Sequence, residues 1–153
     1  SFELVFGRMA GLADKAGPVL FHLHPRHERD VARLEAALVL LPEGVRAAFE
    51  FRHSSWFADD VFELLSRYDA ALCVSDHHDA PAPWERTASW AYVRGHGPGG
   101  RYWGSYPDAE LEAWAQRIAR WRRAGADVFV YLDNDPEGAA PKDALRLKAM
   151  MED

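Results

Sequence analysis

Six residues form a spaced series with the chemistries of an active site: Glu50, Arg52, Asp76, Arg94, His96 and Asp133. The two arginines carry fork-shaped donors that suit bidentate contact with a carboxylate or phosphate. Glu50 or Asp76 can serve as a general base, with His96 as its acid/base partner near neutral pH. The oxygen and imidazole donors of Glu50, Asp76, His96 and Asp133 also suit a divalent metal such as Mg, Mn or Zn. Around this set, His22, His53, Trp56, Tyr102 and Asn134 are candidate ligand-binding residues.

The positions of the histidines show which elements must carry these groups. All seven lie within or just beyond four strand-like runs: His22, His24 and His27, then His53, then His77 and His78, then His96. Asp133 and Asp135 follow a fifth run. The five runs are Pro18–Leu23, Arg46–Phe51, Ala71–Ser75, Trp90–Arg94 and Val128–Leu132, each apolar enough to be covered on both faces. Helical patterns separate them over 28–41 (Val31, Leu34, Leu38, Leu41, with Gly44 as the stop), 57–68 and 108–124. A first helix with Phe2, Phe6, Met9 and Ala13 precedes them, and a last helix begins near Pro141. Pro81 and Pro83 make the link from Ser75 to Trp90 a loop with at most one helical turn.

Alternating strands and helices indicate an α/β fold with parallel strands. Such folds bind ligands at the carboxyl ends of the strands, where the histidines lie. Parity sharpens the expectation. Phe49 and Phe51 oppose Glu50 and Arg52, Val93 opposes Tyr92 and Arg94, and Phe21 and Leu23 oppose Leu20 and His22. The apolar parity should face helices, and the other an interior that turns polar at its top. In the third and fifth strands both parities are apolar, so the direction of Asp76, and of Asp133 against Asn134, stays open.

Each feature also has a plainer reading. Glu50 and Arg52, two apart on a strand, equally suit a structural ion pair, and His22 alone suits a hydrogen-bonded core histidine. His24, His27, His77 and His78 read as solvated loop residues. Gly97-Pro98-Gly99-Gly100 lacks the Lys-Ser/Thr of a phosphate loop and reads as flexible. Trp56, Trp84 and Trp103 are loop aromatics able to stack on a flat ligand, whereas Trp90, Trp114 and Trp121 suit core or helix packing.

The chain has 153 residues, 48% of them hydrophobic and 27% charged, the makeup of a soluble globular domain. No segment approaches the roughly 20 apolar residues of a membrane span, and the start lacks a secretory pattern. With Cys73 as the single cysteine, the sequence is expected to be cytoplasmic. A net charge of -6 disfavours a nucleic-acid surface, and a small anionic ligand is the expected partner. The sequence carries no signal of oligomeric state.

The ordered segments Phe49-Glu50-Phe51-Arg52-His53-Ser54-Ser55-Trp56, Ser75-Asp76, Tyr92-Val93-Arg94-Gly95-His96-Gly97 and Tyr131-Leu132-Asp133-Asn134-Asp135, with Ala139, resemble the DUF72 family of YecE-like proteins. Pro18–Pro25 resembles that family's Leu-Phe-Gln-Leu-Pro-Pro turn, and the resemblance covers essentially the whole chain. It implies a TIM-type (β/α)8 barrel of roughly 250 residues. The five strands here would be its fourth to eighth. Residues 1–153 would then be the C-terminal part of one domain, a fragment whose first three strands are absent. The family's activity is unassigned, so the resemblance implies an architecture and a face but no reaction. His22 stands where the family has glutamine, His24 where it has the first proline of its turn, and Asp133 where it has the first asparagine of a pair. These departures add charge and potential metal ligands.

Three functional readings follow. The leading one is a hydrolase-type site for an anionic or phosphorylated substrate at the strand C-termini, with or without a metal. The second is an anion-binding module without turnover, and in the third the charged strand ends are structural.

Overall fold

Short β-branched, aromatic and small apolar runs form five strands: β1 (Val19–His22), β2 (Ala47–Glu50), β3 (Ala71–Ser75), β4 (Ala91–Gly95) and β5 (Val128–Leu132). The segments between and around them form α1 (Phe2–Met9), α2 (Val31–Val39), α3 (Asp59–Arg67), α4 (Asp108–Arg123) and α5 (Ala139–Met150). The computed structural model describes residues 2–152. The stripe expected on the first helix falls largely on Phe2, Met9 and Ala13, whose side chains lie outside the described residues. Its backbone is helical to Met9 and continues as a 3₁₀ turn over Ala10–Lys15.

Local chemistry sets the boundaries. α2 starts later than expected because Asp30 caps it, its carboxylate accepting from Arg33 N at 2.9 Å. It stops at Leu40 and not at Gly44, since Pro42 disfavours helical geometry at Leu41. α5 begins two residues before Pro141, which the first turn tolerates because an amide there has no intrahelical acceptor. Residues 76–90 form no regular helix. They are pinned back to β3 by Thr87, whose hydroxyl accepts from Leu72 N and donates to Ala70 O, both at 2.8 Å.

The strands form one parallel sheet in the order β1-β2-β3-β4-β5. Consecutive parallel strands joined through crossovers are the arrangement of successive units in a TIM-type barrel. The outer face packs on the helices as expected from parity. Phe49, Phe51 and Leu72 join Leu34, Leu38, Val61, Leu64 and Leu65 in one core. Val74 and Val93 join Leu111, Trp114, Ile118 and Leu147 in a second, with Val128, Val130 and Leu132 packed against it. Burying each such side chain is worth about 1.5–3 kcal/mol. This settles the two strands left open: Leu72 and Val74 face out, as do Val128, Val130 and Leu132. The inner face is lined low down by Ala48, Ala71, Cys73, Trp90 and Tyr92, with Leu20 and Phe129 against them.

Two tryptophans differ from expectation. Trp56 is buried, stacks on Phe51 with ring centroids 4.6 Å apart, and donates to His27 O at 2.7 Å. Trp84 packs against Trp114 and Trp121, each at 5.5 Å. Both serve the helix-side cores, because a loop that leaves a strand end can fold its aromatic back over the adjacent helix. Among the described residues, no helix is long and apolar enough to cross a membrane.

Candidate functional site

Register brings the polar parity of the strands together at their C-terminal ends, with His22 beside Glu50 and Ser75 beside Arg94. Glu50 is the hub, and its side chain is fully buried. A carboxylate can be ionised there only if donors replace its lost water. Arg52 Nη2 lies 2.7 Å from Oε1 and Arg94 Nη1 2.6 Å from Oε2. Ser75 Oγ donates to Oε1 at 3.0 Å, and His22 Nε2 is 2.6 Å from Oε2. Burial alone would raise the Glu50 carboxyl, but the hydrogen bonds from His22 and Arg94 and the charges of both arginines outweigh it. The group is held well below the usual carboxylate range. Arg94 reaches on with Nη2 to Asp133 Oδ2 at 2.5 Å. Burial pushes the Asp133 carboxyl up, against the opposing pull of His96 and Arg94.

A second carboxylate orients the histidine. Asp76 Oδ1 accepts from His96 N at 2.7 Å and lies 3.1 Å from His96 Nδ1. The imidazole proton therefore sits on Nδ1, and Nε2 faces Arg52 Nη2 at 3.4 Å. Glu50 Oε1 and Asp133 Oδ2 lie 3.5 and 3.7 Å from the same Nε2. Asp76 Oδ2 accepts from the buried Tyr106 hydroxyl, which in turn accepts from Gly97 N at 2.7 Å. Burial and the Asp76 charge raise the Tyr106 phenol far above its ordinary value. Tyr106 therefore remains a donor.

The loop bearing Tyr106 is fastened to α5 through Asp143, a fully buried carboxylate. Its oxygens accept from Ser105 Oγ (2.5 Å), Arg146 Nη1 (2.8 Å), Tyr106 N (2.9 Å) and Asn134 Nδ2 (2.9 Å). Burial opposes these donors but they prevail, and the Asp143 carboxyl is lowered. The Gly97–Gly100 stretch is a built turn: Gly100 N donates to Gly97 O at 2.7 Å and His78 N to Gly100 O at 3.3 Å. At Gly97, with φ +85, a Cβ would fall 2.5 Å from Trp103 O, so only glycine fits.

Of the residues expected from sequence, His22, Glu50, Arg52, Asp76, Arg94, His96 and Asp133 converge, and Tyr102 joins them through its hydroxyl, 3.2 Å from Arg52 Nη1. Three do not. Trp56 lies in the outer core. His53 accepts from Ser55 N at 3.3 Å and caps a short 3₁₀ turn, and Asn134 is tied to Gly104 O and Asp143. His77, expected to be solvated, is buried with its ring edge-on to His96 at 5.1 Å. Burial, aided by the charge of Arg52, lowers His77 to about 4. The sequence reading did not select Ser75, Tyr106 or Asp143. Their importance rests on partners 25 to 38 residues away.

The expected metal set of Glu50, Asp76, His96 and Asp133 does not gather three ligand atoms within 4.8 Å of one another. Among the described residues His77, His78 and Asp79 do. Arginines occupy both Glu50 oxygens and Asp133 Oδ2, which a cation would need. Among the described residues, three buried side-chain polar atoms lack a partner: Arg52 Nε, Asp133 Oδ1 and Asn134 Oδ1.

A DUF72 family protein from Thermotoga maritima superposes with a TM-score of 0.90 at 24% identity. That match covers 99% of this chain and 65% of the other, so the chain spans less than two thirds of that relative's length. Two structures of a DUF72 family protein from Enterococcus faecalis superpose with TM-scores of 0.84, at 16% and 18% identity. They are matched over 66% and 68% of their lengths and 99% of this one. At these identities the likeness establishes the fold. No curated protein matches the chain. The family model described as a protein of unknown function, DUF72, matches residues 1–153, and the chain accordingly belongs to the DUF72 family.

Proposed function

We propose that the upper inner face of the sheet binds a small anionic substrate on Arg52 and Arg94 and supports its hydrolysis through the Asp76–His96 pair. One observation carries this reading. In a network where nearly every polar atom is paired, Arg52 Nε is left as a donor without an acceptor and Asp133 Oδ1 as an acceptor without a donor. Unpaired buried groups of opposite kind on two side chains that both flank His96 Nε2, at 3.4 and 3.7 Å, suit a ligand that is anionic and also bears a hydroxyl, as a polyol phosphomonoester or a hydroxy acid does.

The roles follow from the partners. Glu50, saturated by four donors and held ionised, fixes the two guanidinium groups and is a poor general base. Asp76 accepts from His96 Nδ1, so the lone pair lies on Nε2, which now faces Arg52 Nη2 at 3.4 Å and would exchange that partner for a proton of water or of the leaving group. Arg52 and Arg94 would neutralise charge developing on the substrate. We further propose that the five strands are the later part of a closed (β/α)8 barrel. Their sequential parallel order, a polar inner face and the 65% share of the Thermotoga relative support this.

The test is turnover by the full-length protein against panels of phosphomonoesters and carboxylate esters. Hydrolysis should fall by about 100-fold or more in His96→Gln. Absence of product from any substrate, with anions still stabilising the fold, would favour the second reading, anion binding without turnover. That alternative draws on the full burial of the His96 side chain.

A further inference from the structure

The turn after β3 carries three consecutive side chains with ligating atoms, His77, His78 and Asp79, and none is committed to an arginine or lysine among the described residues. We propose that this turn binds one zinc ion, at a site distinct from the arginine cluster and independent of the anion reading.

Spacing is the first support. Ligands about 2.0–2.2 Å from a tetrahedral zinc lie about 3.3 Å from one another. His78 Nε2 is 3.3 Å from Asp79 Oδ1, and His77 Nδ1 is 3.7 Å from Asp79 Oδ2. The carboxylate thus faces one imidazole with each oxygen, and the three ligand atoms fall within 4.8 Å of one another.

The hydrogen bonds around the turn are the second support. A metal-binding imidazole ordinarily donates its other N–H to a fixed acceptor, which places the lone pair on the ligating nitrogen. His78 Nδ1 lies 3.0 Å from Gly100 O, so its lone pair is on Nε2, the atom beside Asp79. His77 Nδ1 accepts from Asp79 N at 3.2 Å and therefore also bears a lone pair on the atom facing the carboxylate. Zinc would replace that amide, leaving the N–H of an exposed residue to water. The turn is clasped from the other side as well. Any side chain at Gly100 would collide with Asp76 O and His78 N, so the glycine permits the backbone approach that holds His78. Two imidazoles and one carboxylate favour zinc over magnesium or calcium. With three protein ligands, a fourth position remains for water or an anion, and partial exposure of His78 and Asp79 leaves it reachable.

The experiment is a calorimetric titration of zinc into metal-free full-length protein, with His78→Ala, Asp79→Asn and a His24→Ala/His27→Ala control. The control removes the exposed imidazole pair whose rings lie 5.8 Å apart. The expected result is one equivalent bound by wild type and by the control. Binding should weaken at least tenfold in each of the two turn variants, whose unchanged melting temperatures without metal would show intact folds. Cobalt substitution should give visible bands of tetrahedral intensity in wild type and not in His78→Ala. No binding by wild type, equal affinity in the turn variants, or loss of binding in the control would overturn the proposal.

Discussion

Glu50 and Asp143 are both fully buried carboxylates with four close polar partners each, yet they organise their surroundings differently. The donors to Asp143 are a serine hydroxyl, a backbone amide, an asparagine amide and one arginine, and together they fasten a loop to α5. Glu50 gathers two arginines, a histidine and a serine on the sheet's inner face, where the His22 side chain remains 48% exposed. Around Asp143 the charge of the carboxylate is used up in holding one segment against another. Around Glu50 it holds two guanidinium groups at the strand ends, one of which keeps an Nε without a partner. Equal burial therefore conceals two jobs: one carboxylate fastens the scaffold, and the other, on the reading proposed above, arranges a site.

Substitutions can separate the two. The largest loss should come from Glu50→Ala, which leaves two guanidinium groups without their buried counter-charge. The expected cost is about 3–5 kcal/mol of stability in urea unfolding of the full-length protein. Asp143→Asn should cost less, about 1–3 kcal/mol, because the amide keeps one acceptor but turns an N–H toward an existing donor. Anion binding should survive it. If Asp143→Asn abolished anion binding at unchanged fold, the distinction between scaffold and site would fail. Tyr106→Phe removes the donor to Asp76 and should cost about 1–2 kcal/mol. It should also shift the ¹⁵N resonances of His96, while Asp143→Asn leaves them nearly in place.

The smallest effect is in pH. Glu50 and Asp143 both have folded-state values below their ordinary ones. Their contribution is thus complete above the ordinary carboxylate range near pH 4 and is lost as pH falls through the depressed values. Asp143→Asn should flatten part of that acid loss in melting temperature. An unchanged acid limb would mean that its ionisation carries little of the stability.

Much of the fold was legible because its pattern is local. The alternation of Phe49 and Phe51 with Glu50 and Arg52 separates helix side from interior without any tertiary information, and the structure keeps that division. Ala71–Ser75 and Val128–Leu132 could not be oriented in the same way, because the lower inner face is itself apolar, built from Ala71, Cys73 and Phe129. Most of the strand-end charges were likewise readable, since a parallel sheet carries them all to one edge. The residues missed were those whose meaning depends on distant partners. Tyr106 matters through Asp76 and Asp143, and His77 is buried with its ring against those of His96 and Tyr102, 19 and 25 positions further along the chain. Trp56 follows the site-bearing end of β2 in sequence, but its neighbours in space are Phe51 and α3.

On the proposed reading, Glu50 fixes Arg52 and Arg94 for an anion. Calorimetric titration of inorganic phosphate into the full-length protein, comparing wild type with Arg94→Met and Asp143→Asn, tests it most directly. Wild type and Asp143→Asn should bind with similar affinity, and Arg94→Met at least tenfold more weakly. Phosphate that fails to bind wild type, or that binds Arg94→Met as tightly, would contradict it.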